Sequence, residues 1–288
     1  MSFAPFTNAI FANKLISVTG NSAYTDSYNS GAGAYGGANI HSFGDITVDG
    51  DATGNVINLD NNADINGDAN VGIDGTVVVI HGASVNNITY SSGHMGYPLV
   101  VVPATLSNLA SSGSITNANV TLTTGSYKYD SITLSSGGSS GKTLTINGDV
   151  NLYVTGEINI TGNTSSITVA NGKSLSLYVD GLFNISGAGL INSTANPLPS
   201  KTIIYSTNTN DTSGVKFGST NNAYACFYAP RLKFLISGVK ALFGSMVCDS
   251  ASVTGVGAAI HYDEVLTSVF VPDFIREYDT IMPFMIQG

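Results

Sequence analysis

A chain of 288 residues with only 10% charged side chains, a formal net charge of −9 and no cluster of Lys or Arg lacks the basic surface that nucleic acid or anionic lipid requires. Its 43% apolar content is enough to bury a core, which excludes the charge-rich disordered class, and no apolar run reaches the roughly 18 to 20 residues of a bilayer-spanning helix. Thirty-three glycines, abundant Ser, Thr and Asn, and no Trp predict short strands joined by tight turns, with very little helix.

Residues 1–40 read as an apolar lead-in and N-terminal cap, FAPFTNAIFANKLISV, followed by the Gly/Tyr-rich loop YNSGAGAYGG. Met1-Ser2 directly before this stretch suggests a start set inside a longer protein, from which an export signal or anchor has been cut.

The next stretch, residues 44–76, holds seven aspartates and no Lys or Arg. Its apolar residues Ile46, Val48, Leu59, Ile65, Val71 and Ile73 are predicted to face inward. Asp45, Asp49, Asp64 and Asp74 are their immediate neighbours, so alternation along a strand turns them to solvent or to a corner. Asp60, Asn62 and Asp64 have the D-x-N-x-D spacing that opens a calcium loop. Ile65 stands where the sharp-turn Gly belongs and Val71 where the bidentate Glu belongs, so solvated turn residues are the expectation and no metal ligand is assigned.

A β-branched residue, a small polar residue and Gly recur as a triplet at least ten times, from Val18-Thr19-Gly20 to Val253-Thr254-Gly255, several of them 14 to 19 residues apart. That spacing suggests one coil of a repeat. Between the triplets, Asp45–Asp49, Ser131–Leu134, Thr143–Ile146, Glu157–Thr161 and Ser174–Val179 alternate apolar and polar residues, the period of a strand with one buried face. Residues 91–112, with two prolines and a continuous apolar run, interrupt the pattern and are expected to cross from one coil stack to another. Further on, ACFYAP (225–230) and GSMVCD (244–249) read as equivalent strands offset by 19 residues. This sets Cys226 level with Ser245 and Cys248 level with Ala229, on opposite faces and beyond disulfide reach. Two unpaired thiols follow. Residues 263–288, including VFVPDFIREYDTIMPFMI, read as a C-terminal cap.

Signals for chemistry are sparse. His41, His81, His94 and His261 lack the local spacing of a metal site and are expected as scattered surface or loop residues, although His41 and His81 both lie near strand runs. Glu157, Glu264 and Glu277 are the only glutamates, and Arg231 and Arg276, the only arginines, lie beside no acidic cluster, which disfavours polysaccharide cleavage. Gly141-Lys142-Thr143 resembles the end of a phosphate-binding loop, but Ser136 replaces the Gly that should precede it and a strand follows. Thr121/Thr123 and Thr143/Thr145 raise an ice-binding alternative, weakened by their intermittency. No catalytic, cofactor-binding or metal-binding residue is assigned.

Leu177-Tyr178-Val179-Asp180-Gly181, Asn184-Ile185-Ser186-Gly187, Phe227-Tyr228-Ala229-Pro230, Phe243-Gly244-Ser245 and Ile260-His261-Tyr262-Asp263-Glu264 form a recognisable set, joined by Tyr129–Leu134, Ile16–Asn21 and Thr25–Tyr28 near the front. It resembles the uncharacterised β-helical surface domain of bacterial proteins whose N-termini are PilX-like, associated with type IV pilus assembly. The stacked repeats are more weakly similar to bactofilins. The first resemblance implies a surface module with no catalytic residues to transfer; the second implies end-to-end polymerisation.

The combined expectation is an all-β, single-stranded right-handed parallel β-helix: N-terminal cap 1–40, helix 41–262 with an irregular insertion at 91–112, and C-terminal cap 263–288. Its expected role is non-enzymatic, structural or adhesive, on a bacterial surface. Expected partners are other copies of itself, surface or pilus proteins, or surface glycans, with no nucleic acid and no membrane insertion. If Phe3, Phe6 and Phe11 or the VFVPDF segment are exposed, they provide the assembling surface. A carbohydrate-binding or carbohydrate-cleaving β-helix is the alternative.

Overall fold

A computed structural model describes residues 2–91, 93–94, 96–135, 140–162, 164–187, 189–191, 197–209, 214–219, 221–238 and 240–272. The chain is all-β, with 53% strand and 5% helix. The first strands are β1 (Ser2–Phe3), β2 (Ile10–Val18), β3 (Tyr24–Tyr28), β4 (Ile46–Val48), β5 (Gly54–Leu59), β6 (Asp64–Val71), β7 (Gly75–Val79) and β8 (Ser84–Tyr90). One short helix, α1 (Ala104–Ser107), precedes β9 (Ile115–Thr116), β10 (Val120–Leu122), β11 (Gly125–Tyr129), β12 (Ile132–Ser135), β13 (Thr143–Ile146), β14 (Asp149–Val154), β15 (Ile158–Thr161) and β16 (Ser166–Val169). The rest are β17 (Ser174–Val179), β18 (Phe183–Ile185), β19 (Gly189–Ile191), β20 (Thr202–Ser206), β21 (Val215–Phe217), β22 (Ala223–Ile236), β23 (Ala241–Val253), β24 (Ala259–Asp263) and β25 (Val271–Pro272).

Strand pairing is parallel and in register, apart from the antiparallel pair β1–β25. One inward column runs through ten layers: Tyr127, Leu152, Leu177, Ile204, Phe227, Met246, Ile10, Ile46, Ala69 and Ile88. Its eight inner members are buried, because alternation sends them into the space between faces where the layers on either side cover them. Nine steps of about 4.8 Å make the ladder roughly 43 Å long.

The column does not follow chain order. β23 pairs through Leu242 and Phe243 with β24, and through Met246–Val253 with β2; β24 then pairs with β3. One layer is therefore shared between residues 259–263 and residues 10–18, the last and first parts of the chain. The long strands β2 and β23 meet different neighbours at their two ends: β2 pairs with β4 through Ile10–Ala12 and with β5 through Ile16–Val18, and β23 pairs with β24 through Ala241–Phe243. Pairing closes into a six-stranded parallel barrel, β2–β4–β6–β3–β24–β23, with the other strands outside it.

Three expectations are corrected here. Segment 1–40 does not cover an end: β2 and β3 lie in mid-ladder, each paired on both sides. Within the C-terminal segment, Glu264–Ser268 form a 3-10 turn and β25 returns to β1, both beside the shared layer; residues 273–288 lie outside the described residues. One layer takes more chain than 14 to 19 residues in most of the ladder: Gly125 pairs with Val150 and Val150 with Leu175, 25 residues on each time.

The glycines of the triplets serve close approach. A Cβ on Gly255 would meet the Gly238 carbonyl oxygen at 2.1 Å, and one on Gly20 would meet the Gly255 oxygen at 2.2 Å. The corner can stack only if each layer presents bare backbone there.

Residues 93–114 run back along the ladder over the outward column Tyr153, Tyr178, Tyr205, Tyr228, Val247 and Phe11. Tyr97 packs edge-on against Phe11 (4.5 Å) and Tyr228 (6.1 Å), and its hydroxyl donates to the Pro5 carbonyl. The Tyr228 hydroxyl donates to the Pro98 carbonyl at 2.6 Å. Farther on, α1 packs on β11 and β14, burying Leu106, and Lys128 Nζ donates to the Ser107 carbonyl. Residues 112–116 then add the last layer on that side: Ser112 N–H bonds to the Lys128 carbonyl, and Ile115 pairs with Ile132.

Candidate functional site

Two polar constellations stand out, and long-range pairing builds both. At the shared layer, His261 is in register with Asp26, on neighbouring strands of one face. Their side chains meet, His261 Nδ1 to Asp26 Oδ1 at 2.5 Å, both buried. Tyr35, from the Gly/Tyr-rich loop, donates its hydroxyl to Asp26 Oδ2 at 2.6 Å. Its ring lies 4.0 Å from the His261 ring, which in turn lies 4.5 Å from Phe243. Burial, reinforced by the Asp26 carboxylate, pushes the Tyr35 hydroxyl well above its usual range.

Beside it, Glu264 Oε1 receives the Ser27 hydroxyl at 2.9 Å and lies 2.6 Å from His41 Nδ1. Serine, histidine and acid are all present, but both partners end on the same carboxylate oxygen. Ser27 is fully buried and its Oγ also accepts from Phe43 N–H, an arrangement that orients no hydroxyl for attack. Asp263, fully buried, uses Oδ1 to accept from Ser30 and Val265 N–H. Its Oδ2 and the Tyr28 hydroxyl are the two buried side-chain polar atoms without a partner among the described residues. Burial raises the Asp263 carboxyl above the ordinary carboxylate range, and burial together with the Asp263 charge raises Tyr28.

The second constellation lies under the crossing segment, in a cavity of about 450 Å3 lined by Asn13, Lys14, Asp49, Asp51, His94 and Arg231, among others. Two bulges open it. Register shifts between Ala12 and Leu15 in β2 and between Ala229 and Lys233 in β22 turn Asn13-Lys14 and Pro230-Arg231 out of the ladder, and Asn13 Nδ2 donates to the Pro230 carbonyl at 2.7 Å. His94 Nδ1 lies 3.0 Å from Asp49 Oδ2 and 3.1 Å from Asp51 Oδ2. Lys14 Nζ pairs with Asp249 at 3.0 Å.

His41, His81 and His94 lie in loops or turns as expected, but none of the four histidines is solitary. His41, His81, His94 and His261 each lie against a carboxylate: Glu264, Asp60, the Asp49/Asp51 pair and Asp26. His41 and His81 have different partners, and His261 is a buried strand residue rather than a loop one. Asp49 is likewise buried, because residues 93–94 cross over it. Ile73, expected inside, is 67% exposed: it sits in the turn between β6 and β7, where strand alternation has stopped.

Asp60, Asn62 and Asp64 diverge from the calcium arrangement. Asp60 Oδ1 takes Asn61 N–H and faces His81, Asn62 reaches Asn21, and Asp64 accepts from Ser84 and Asn66. Among the described residues no group of three or more His, Cys, Asp or Glu is placed to hold a metal ion. Cys226 and Cys248 are free and fall level with Ser245 and Ala229. Both are buried, with thiols raised by burial, because on β22 and β23 each face of the strand is covered. Threonines stack for three layers, Thr121, Thr145 and Thr168, before Ile191 ends the column. Sequence reasoning missed the cavity, since its acids and bases come from strands and loops spread along the chain from Lys14 to Arg231.

Residues 91–269 match a family described as a domain of unknown function (DUF7305), and the chain belongs to that family. No curated protein and no solved structure matches it. The matched segment begins at the crossing segment and ends after β24, leaving β2 to β8 outside it.

Proposed function

We propose that the strands wind in one sense as a single-stranded right-handed parallel β-helix, and that this rod is a non-enzymatic structural or adhesive module on a bacterial surface. Its contacts are with itself, with pilus or other surface proteins, or with surface glycans. The observation that carries the reading is the ten-layer column from Tyr127 to Ile88: inner layers are bonded to neighbours on both sides, so the molecule holds a fixed elongated form. Right-handed crossover is the sense favoured for parallel strands. Polar clusters at the shared layer support a structural role, since Ser27, Asp26 and His261 are buried and bonded to one another's neighbours. The surface setting rests on the resemblance of the Tyr-Ala-Pro and His-Tyr-Asp-Glu motifs.

The test is location and retention. Antibody against the folded protein should label intact cells, and purified protein should bind cells or isolated surface material saturably. Recovery only from the cytosol overturns the reading. One observation favours a second reading, carbohydrate cleavage. Asp49 and Asp51 place oxygens within 3.1 Å of one nitrogen, hence no more than about 6 Å apart, in a cavity that also holds Lys14 and Arg231. Release of sugar from a polysaccharide, abolished by Asp49→Asn, would establish it in place of the first.

A further inference from the structure

We infer that the β8 end of the ladder is an interface for a second copy of this chain, docked end to end about a two-fold axis. The inference rests on the rod reading above and adds the partner and the surface. Among the described residues β8 pairs only with β6, and β7 only with β5, so one long side of each strand leaves its amides and carbonyls unused by the ladder. Val77, Val79, Val85, Ile88 and Tyr90 lie in register over Ile57, Leu59, Ile65, Ala69 and Val71, all at most 2% exposed. Lacking a layer above, Ile88 is 39% and Tyr90 61% exposed, and Ile80 and Ile73 beside them are exposed too. The end face thus repeats the core pattern without its cover.

Charge and symmetry select the occupant. Residues 73–90 carry Asp74 and His81 as their only Asp, Glu, Lys, Arg or His, in a chain of net charge −9, and His81 is bonded to Asp60. Two such faces meet without like-charge repulsion. At the opposite end β9 and β10 also pair on one side only among the described residues, but their apolar side chains Ile115 and Leu122 are buried, so head-to-tail growth finds no second exposed apolar face. An open end can then meet only its like. A two-fold axis across the ladder reverses strand direction, so β8 meets its copy antiparallel and the unused backbone groups pair.

The test is the mass of the full chain in solution between about 1 and 100 μM, by sedimentation or light scattering, for wild type, Ile88→Lys and Tyr90→Lys. Wild type should reach twice the 29.7 kDa chain mass. Either variant should return to one chain mass with an unchanged far-UV spectrum, the dissociation constant rising at least about tenfold. A dimer that persists in both variants, or species larger than two chains, overturns the inference. So does a monomeric wild type, in which slow exchange of β8 amides would assign the cover to another part of the same chain. None of these outcomes bears on surface location, so the rod reading stands or falls separately.

Discussion

The same outward column has two characters along its length. From β14 to β2 it reads Tyr153, Tyr178, Tyr205, Tyr228, Val247 and Phe11; from β4 to β8 it reads Thr47, Asn70 and Thr89. The backbone and register are alike in both regions, but only the first lies under the crossing segment, whose Tyr97 and Pro98 contact Phe11 and Tyr228. In the bare region the side chains bond along the column, Asn70 to Thr47 and Thr89 to Asn70. An outward strand position is polar where water reaches it and aromatic where another piece of chain keeps water away. A strand that reads as apolar on both faces therefore points to a cover supplied from elsewhere.

The sharpest way to break this contrast is Tyr228→Ala, which removes a buried ring and the hydroxyl that holds Pro98. It should lower the unfolding free energy by about 3 to 5 kcal/mol and open residues 96–109 to protease, measured by denaturant titration and limited proteolysis. Gly255→Ala strikes the layers where the two regions join. Its Cβ would overlap the Gly238 carbonyl, at a cost of about 1 to 3 kcal/mol in the same titration. Asn70→Ala, at the bare counterpart of Tyr228, should cost below about 1 kcal/mol and leave proteolysis unchanged. A loss as large as that of Tyr228→Ala would show that both regions are equally covered.

The smallest change concerns pH. Burial raises the Asp263 carboxyl in the folded state, so the folded chain holds its proton more tightly than the unfolded chain does. The site costs nothing below the ordinary carboxylate range and becomes a penalty as pH rises through the raised value. Asp263→Asn should therefore match wild type at pH 3 and melt higher at pH 7; the same melting difference at both values would contradict the assignment.

Strand positions were readable because period-2 alternation is local. Thr143–Ile146 and Ser174–Val179 fall where the pattern places them, and the 19-residue offset that aligns Cys226 with Ser245 is the observed register. The candidate sites were not readable. His41, His94 and His261 find their acids 223, 43 and 45, and 235 residues away, and nothing in the neighbourhood of any histidine marks its partner. Ile73 is exposed because the strand has ended before it, whereas Asp49 sits at a corner as the pattern allows but is buried beneath a segment that crosses it.

Composition and alternation by themselves determined an all-β chain of short strands with an aliphatic interior, since which way a side chain points depends only on its neighbours in sequence. Only the tertiary structure decided that β2, near the start of the chain, and β24, near its end, share one layer in mid-ladder, and that one end hides its apolar side chains while the other exposes them. Those outcomes depend on which layer rests on which, a choice made by contacts between residues hundreds of positions apart that no local period encodes.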